Sequence, residues 1–147
     1  MLKRPRRLDA DGIGALLALD VPAHLATLDR EGFPHVTPLW FVWEVGAFFM
    51  TSIVDRPHLR RLSRDARAGL CVDVEVPQRA DGQRPNRQVR AVGRAGVFPD
   101  QRGEWTRRIT EKYVRGEAAG DVVRARSADE RAVICLRPAT LVAVASV

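Results

Sequence analysis

Apolar and polar positions along this chain follow two rhythms, one of helical and one of strand period, and each predicts a different element. From Asp9 to Leu19, Ala10, Ile13, Leu16 and Leu17 recur at helical spacing behind Asp9 or Asp11 as N-cap, which predicts a short amphipathic helix. After Pro22 the strand-like run His24–Leu28 reaches Asp29-Arg30-Glu31-Gly32, whose small and charged residues fit a hairpin turn. A second strand is expected from Pro34 to Trp43, a turn at Glu44-Val45-Gly46, and a third, mostly buried strand at Ala47–Ser52. Together they predict a three-stranded meander. Asp55-Arg56-Pro57 then opens a helix to about Arg64, because Asp can cap and proline loses nothing in a first turn.

Strand rhythm returns from Ala68 to Val76, with Val72, Val74 and Val76 on one face and Cys71, Asp73 and Glu75 on the other. Pro77–Asn86 holds prolines, a glycine and no large apolar residue, so it is an exposed connection. The fifth strand, Arg87–Phe98, sets Val89, Ala91, Gly93, Ala95 and Val97 opposite Arg90 and Arg94. Antiparallel pairing with the fourth strand would let those arginines meet Asp73 and Glu75. Trp105, Ile109 and Tyr113 predict a helix over Gln101–Arg115 that packs on the sheet and stops at Gly116. Asp121–Asp129 is weakly patterned and reads as a loop or a marginal helical turn. The last strands are Ala132–Leu136 and Thr140–Val144, with a bend or bulge at Pro138. These strands and interposed helices describe a mainly β fold: a small antiparallel barrel with peripheral helices.

At 147 residues with 46% hydrophobic content, the chain is long enough for one domain, taken as residues 1–147, with a full core of its own. Residues 1–8, basic through Lys3, Arg4, Arg6 and Arg7, read as a flexible leader; Asp9, Asp11 and Asp20 break any secretory apolar stretch after it. Leu39–Val54, the most apolar window, is too short and too interrupted for a membrane span. A cytoplasmic protein with Cys71 and Cys135 reduced is expected. The net charge is +6, from 24 Lys plus Arg against 18 Asp plus Glu, and Lys3 and Lys112 are the only lysines. A guanidinium-rich surface of this kind favours anions.

Most reaction chemistries lack their residues. His24, His35 and His58 have no metal-ligand spacing, no serine sits in a nucleophile elbow, and no glycine pattern cradles a dinucleotide or a triphosphate. Asp73 and Glu75 have the spacing of an acid–base pair, but ladder partners explain them better. Trp105, Ile109 and Tyr113 read as core before they read as a ligand wall. One constellation remains: Thr51 and Ser52 end a buried strand where Asp55-Arg56-Pro57-His58-Leu59-Arg60-Arg61 begins a helix. Hydroxyls, guanidinium groups and free helical N–H donors there would receive a phosphate.

The order of segments resembles a known family. Leu25-Ala26-Thr27-Leu28, Gly32 and Pro34-His35-Val36-Thr37-Pro38-Leu39-Trp40-Phe41 are similar to the first hairpin of the pyridoxamine-phosphate-oxidase-like split β-barrels, in particular the flavin/deazaflavin oxidoreductase branch. Met50-Thr51-Ser52, Arg56, Leu62, Arg64-Asp65, Gly93-Arg94-Ala95, Lys112-Tyr113 and Leu136-Arg137-Pro138 extend the match over about residues 20 to 144. The resemblance implies an FMN-binding split barrel, a homodimer with a coenzyme in each groove between subunits, and FMN or the deazaflavin coenzyme F-420 as that coenzyme, with F-420 slightly preferred. Val36, Thr37, Pro38, Leu39 and Trp40 would line the ring system. Met50 is likewise expected among the coenzyme-binding residues, and Thr51, Ser52, Arg56, His58 and Arg61 would hold the phosphate. Family members usually carry Lys at the position of His58, Asn at that of Arg61, and a tryptophan where this chain has Val144 or Ala145. A charged His58 would make phosphate binding weaken as pH rises.

No catalytic side chain is implied, because the hydride chemistry belongs to the coenzyme. The expected activity is hydride transfer between the reduced coenzyme and a small conjugated substrate. Two other readings stand beside it: a non-catalytic flavin or haem carrier on the same barrel, and, more remotely, a basic nucleic-acid-binding protein, which lacks interleaved aromatic platforms.

Overall fold

The computed structural model describes residues 4–146. Strand β1 (Arg6–Arg7) precedes helix α1 (Ala10–Leu17), whose N-cap Asp9 accepts the Gly12 N–H at 2.8 Å. Strands β2 (Ala23–Leu28) and β3 (Pro34–Leu39) form the expected hairpin, its turn closed by Asp29, whose carboxylate accepts the N–H groups of Glu31 and Phe33 at 3.0 and 2.9 Å. Strands β4 (Phe41–Glu44) and β5 (Ala47–Ile53) form a second hairpin through Val45 and Gly46, both at positive φ. There follow α2 (Pro57–Arg64), β6 (Arg67–Glu75), β7 (Asn86–Pro99), a 3₁₀ turn at Gln101–Gly103, α3 (Glu104–Tyr113), α4 (Ala118–Arg126) and the long β8 (Arg131–Ser146).

All strand pairs are antiparallel, in the order β3-β2-β6-β7-β8-β5-β4, with β1 on β8. Both pairings of the predicted meander form, β2 with β3 and β4 with β5, but its middle strand is divided in two, and β5 takes β8 as its other neighbour. The expected strand Pro34–Trp43 is broken at Trp40, so the two edge strands of the sheet, β3 and β4, are joined in sequence by one residue. Consecutive Cα atoms are about 3.8 Å apart, so the sheet must curl until its edges nearly meet. The unpaired seam beside Trp40 is the split in a mainly β, half-barrel sheet.

Inside the curl lie Leu16, Leu17, Leu25, Phe41, Phe48, Met50, Val72, Val89, Ile134 and Leu136, all essentially inaccessible to solvent. Ala47, Phe49 and Val133 form a smaller cluster, where Trp105 of α3 stacks on Phe49 at 4.0 Å. The helix stripe Trp105–Ile109–Tyr113 packs on the sheet as its period predicts.

Several local expectations change. Pro138 does not end a strand; β8 runs through it, and the proline is absorbed by a bulge opposite Val92 and Gly93. Gly93 is required there, because a Cβ on it would sit 2.8 Å from the Arg137 carbonyl oxygen and 3.2 Å from the Ala139 nitrogen. Both obstacles are backbone, so Gly93→Ala should destabilise the fold by about 1–3 kcal/mol, read as a lower midpoint in urea with an unchanged slope. The register of β6 on β7, which runs without a bulge, sets Arg90 opposite Cys71, Arg94 opposite Arg67, Asp73 opposite Gln88 and Glu75 opposite Asn86, so the anticipated charge pairs are not directly opposite. Glu75 pairs instead with Arg84 at 3.2 Å. Asp121–Asp129, expected as loop or a marginal turn, is mostly the helix α4.

Of the basic leader, residues 1–3 lie outside the described residues, whereas Arg6 and Arg7 pair with Ala145 and Val144 and are not a loose tail. Cys71 and Cys135 are free, and burial pushes both thiols up. Among the described residues no helix is long and apolar enough to cross a membrane.

Candidate functional site

The seam between the sheet edges opens into a cavity of about 590 Å³. Its walls come from the end of β3 and the joint (Thr37, Pro38, Leu39, Trp40), the end of β5 (Thr51, Ser52, Ile53), the start of α2 (Arg56, Pro57, His58, Arg61), and Arg126 and Arg131. Nine of the eleven predicted residues are thereby brought together, from Thr37 to Arg61. The other two are placed elsewhere: Met50 is fully buried in the core, and Val36 is 63% exposed outside the cavity. Strand period explains Met50, since neighbours on β5 point to opposite faces and Thr51 takes the cavity side.

Helix α2 meets the cavity with its N-terminus. Its N-cap is Arg56, no side chain caps it, and Pro57 occupies the first turn. Asp55, expected as the cap, instead turns the chain at φ 72. An uncapped N-terminus keeps its donors and the positive end of its dipole for an external anion.

His58 is 6% exposed, and its Nε2 shares a hydrogen bond of 2.8 Å with Ser52 Oγ. Burial first, then the Arg61 and Arg56 charges, lower its pKa from the ordinary histidine value, so His58 is neutral at pH 7. It therefore orients Ser52 and does not supply the charge that a lysine there would. Its ionisation has a definite consequence for stability. The unfolded chain takes up a proton at His58 below about pH 6.5 while the folded chain resists it, so stability is intact above that pH and falls as pH drops toward the folded value. Thermal melts from pH 8 to 5 should lose more in the wild type than in His58→Gln; parallel losses would remove His58 as the cause.

The positive charge is carried by Arg56, Arg61, Arg126 and Arg131, and no carboxylate lines the cavity among the described residues. Arg61 is steadied by Nε, which donates to Thr27 Oγ1 at 2.8 Å. Arg131 Nη2 donates to the Thr51 carbonyl at 3.0 Å and to its Oγ1 at 3.3 Å. Thr106 Oγ1 donates to Asp100 at 2.6 Å and lies 3.1 Å from Thr51 Oγ1, so Thr51 donates to Thr106 and its lone pairs face Arg131. Burial lowers the pKa of Arg126 and Arg131, chiefly by desolvation, yet both stay charged at neutral pH because arginine titrates so high.

Arg126 and Arg131 carry no local signal that would mark them as site residues. They lie in and beyond the weakly patterned segment, about seventy residues from α2 in the chain. The helical spacing of Ala118, Val122, Ala125 and Arg126 is the one weak indication of α4.

Trp40 is the other fixed wall. Its ring stacks on Tyr113 at 4.7 Å and 5°, and the Arg126 guanidinium lies 4.8 Å from its centroid while donating to Thr110 Oγ1 at 2.7 Å. The joint is held from behind: the Tyr113 hydroxyl donates to the Val21 carbonyl at 2.9 Å and accepts the Phe41 N–H at 3.2 Å, and Lys112 Nζ donates to the Leu17 and Phe41 carbonyls at 2.9 and 3.0 Å. Burial brings the Lys112 pKa down to about 8 and raises that of Tyr113 to about 12. Such a site can clamp an anion at one end and a planar ring at the other.

Comparisons with known proteins bear on the family and the fold. The family model described as pyridoxamine 5'-phosphate oxidase matches residues 13–145. Among solved structures, a conserved hypothetical protein from Mycobacterium tuberculosis is 18% identical with a TM-score of 0.73, covering 96% of this chain and 89% of that one. A FAD-binding protein from Mesorhizobium loti is 15% identical at a TM-score of 0.68, covering 100% and 99%. A structure named F-420 reductase is 24% identical at a TM-score of 0.63, covering 86% and 93%. Identities this low speak for the shared fold. No curated protein sequence matches significantly.

Proposed function

Because the chain belongs to the pyridoxamine 5'-phosphate oxidase family, we propose that its cavity holds a phosphate-bearing flavin or deazaflavin, FMN or coenzyme F-420, in a homodimeric oxidoreductase that acts on a small conjugated substrate. The observation that carries this reading is the lining of the cavity: four guanidinium groups, an uncapped helix N-terminus and no carboxylate among the described residues, facing a strand edge and a clamped indole. The likeness to a FAD-binding protein and to an F-420 reductase supports it.

The residues present fit such a coenzyme by their chemistry. Arg56, Arg126 and Arg131, with the donors at the start of α2, would take the phosphate; Ser52, oriented by His58, would add a hydroxyl. The outer edge of β3 has no strand partner among the described residues, so its backbone groups are available to ring heteroatoms, and Pro38 is tolerated there because that edge needs no ladder. Trp40 would confine the ring. When bound, the coenzyme supplies the hydride; the chain orients it and neutralises its charge. In the homodimer, Phe33, Val36 and Val92, 67%, 63% and 56% exposed, are apolar positions for a partner subunit to cover.

The test is titration of the purified protein with FMN and with F-420, followed by turnover of the reduced coenzyme with a panel of enones. Tight binding of one coenzyme with enone-dependent oxidation is expected. Binding of neither overturns the assignment, and binding without turnover leaves a carrier.

A further inference from the structure

Behind the coenzyme cavity a row of polar groups leads away from the ligand space into the protein. Arg131 stands at its front, where β8 begins. Nη2 donates to the Thr51 carbonyl at 3.0 Å, and Nη2 and Nε approach Thr51 Oγ1 at 3.3 and 3.4 Å. One edge of the planar guanidinium is thereby occupied, and Nη1 is left without a protein partner among the described residues. Behind Thr51 come Thr106 of α3 and then Asp100, the residue that follows β7. Thr51 and Thr106 are both buried, so water does not compete for their hydroxyls.

The far end of the row fixes the direction of each proton in it. A carboxylate only accepts. Asp100 takes the N–H groups of Trp105 and Thr106 at 3.0 Å each and the Thr106 hydroxyl at 2.6 Å. The single Thr106 hydroxyl proton is thus committed, so at the 3.1 Å contact between the two hydroxyls Thr51 is the donor. Thr51 then has only lone pairs for Arg131 and for the cavity. A phosphate in the cavity would meet those lone pairs as repulsion, because no proton remains to donate to it.

The row also fixes Arg131 without neutralising it. A carboxylate in direct contact would cancel much of the guanidinium charge before any ligand arrived. Arg131 has no ion pair among the described residues; two neutral oxygens orient it, and Asp100 stands two hydroxyls away. At that remove the Asp100 and Asp129 charges still oppose the burial that lowers the pKa of Arg131 and the repulsion of Arg56.

We propose, resting on the coenzyme reading above, that Thr51 and Thr106 are positioning residues of the cavity: the Thr51 hydroxyl aims Arg131 and does not itself bind the phosphate, and Thr106, anchored on Asp100, sets the direction of that hydroxyl. The phosphate then meets the unoccupied edge of Arg131. Of the two hydroxyls at the end of β5, Ser52 serves the ligand and Thr51 serves the arginine.

Fluorescence titration with FMN, F-420 and riboflavin, which lacks the phosphate, tests this on the wild type, Thr106→Val, Thr51→Val, Arg131→Ala and the two doubles that combine each valine with Arg131→Ala. Valine keeps the shape of threonine and removes the hydroxyl, and melting curves check that each variant is folded. Each valine variant should weaken the phosphate-bearing coenzyme about 3- to 10-fold and leave riboflavin within about two-fold of the wild type. Without Arg131 neither valine should weaken binding further, because the group they aim is gone. Thr106→Ser, which restores the hydroxyl, should bind as the wild type does, and this separates the hydrogen bond from the packing of α3. A Thr51→Val loss that persists in the Arg131→Ala background means that the hydroxyl holds the phosphate directly, and the proposal is overturned. Wild-type affinity in Thr106→Val, or equal losses for riboflavin, overturns it as well while the coenzyme reading stands. A wild type that binds neither FMN nor F-420 removes the coenzyme reading itself, and the proposal with it.

Discussion

Replacing Arg56 by alanine should weaken FMN binding about 10- to 100-fold, because one charge-assisted hydrogen bond of about 1.5–3 kcal/mol is lost. Arg56 stands at the N-cap of α2 with no intramolecular hydrogen bond from its side chain to cap the helix, so its removal takes little from the fold. Riboflavin, which has the ring but no phosphate, provides the control: its affinity should be nearly the same in wild type and variant. Fluorescence titration of both ligands measures the difference. An equal loss for both would mean that Arg56 touches the ring or shapes the cavity, and no loss for either would place the phosphate away from the start of α2. The wild-type affinity should not decline as pH rises from 6.5 to 8, since His58 is already neutral there and the charge is held by arginine.

Truncating Phe48 to alanine should cost about 3–5 kcal/mol of stability. Phe48 is fully buried on β5, with Phe41 at 5.7 Å and Trp43 at 4.6 Å, so its ring holds the β4–β5 hairpin onto the core. For a chain near 150 residues, each kcal/mol moves the melting temperature by about 2–4 °C, so a drop of roughly 10 °C is expected by circular dichroism. The site should suffer with it, because the open end of the same hairpin carries Thr51 and Ser52 on one strand and Phe41, next to Trp40, on the other. A drop of only a few degrees would show that the core closes over the missing ring.

Local reading succeeds where one period or one short segment decides the outcome. The β5-to-α2 handover is such a case: Thr51, Ser52, Arg56 and His58 lie within eight residues, a buried run followed by proline dictates strand then helix, and the cavity forms where they meet. The same alternation sets Met50 apart from Thr51. The pairing of Arg90 and Arg94 with Asp73 and Glu75 is a local inference about a nonlocal matter. Charge complementarity suggests which strands pair, but the register follows from which faces of both strands the core buries, and in it none of the four charges stands directly opposite its expected partner.

By itself the sequence determined most of the element types, though neither β1 nor α4, together with the apolar faces that make the core and the phosphate-friendly strand-to-helix junction, because these depend on side-chain periodicity and turn chemistry within a few residues. The tertiary structure alone decided that β5 joins β8, that the sheet edges meet at Trp40, and that Arg126 and Arg131 arrive from a distant helix and strand to complete the cavity. Those outcomes depend on how a curled sheet closes on itself, and on which charges that closure leaves without partners; neither is written in any one stretch of the chain.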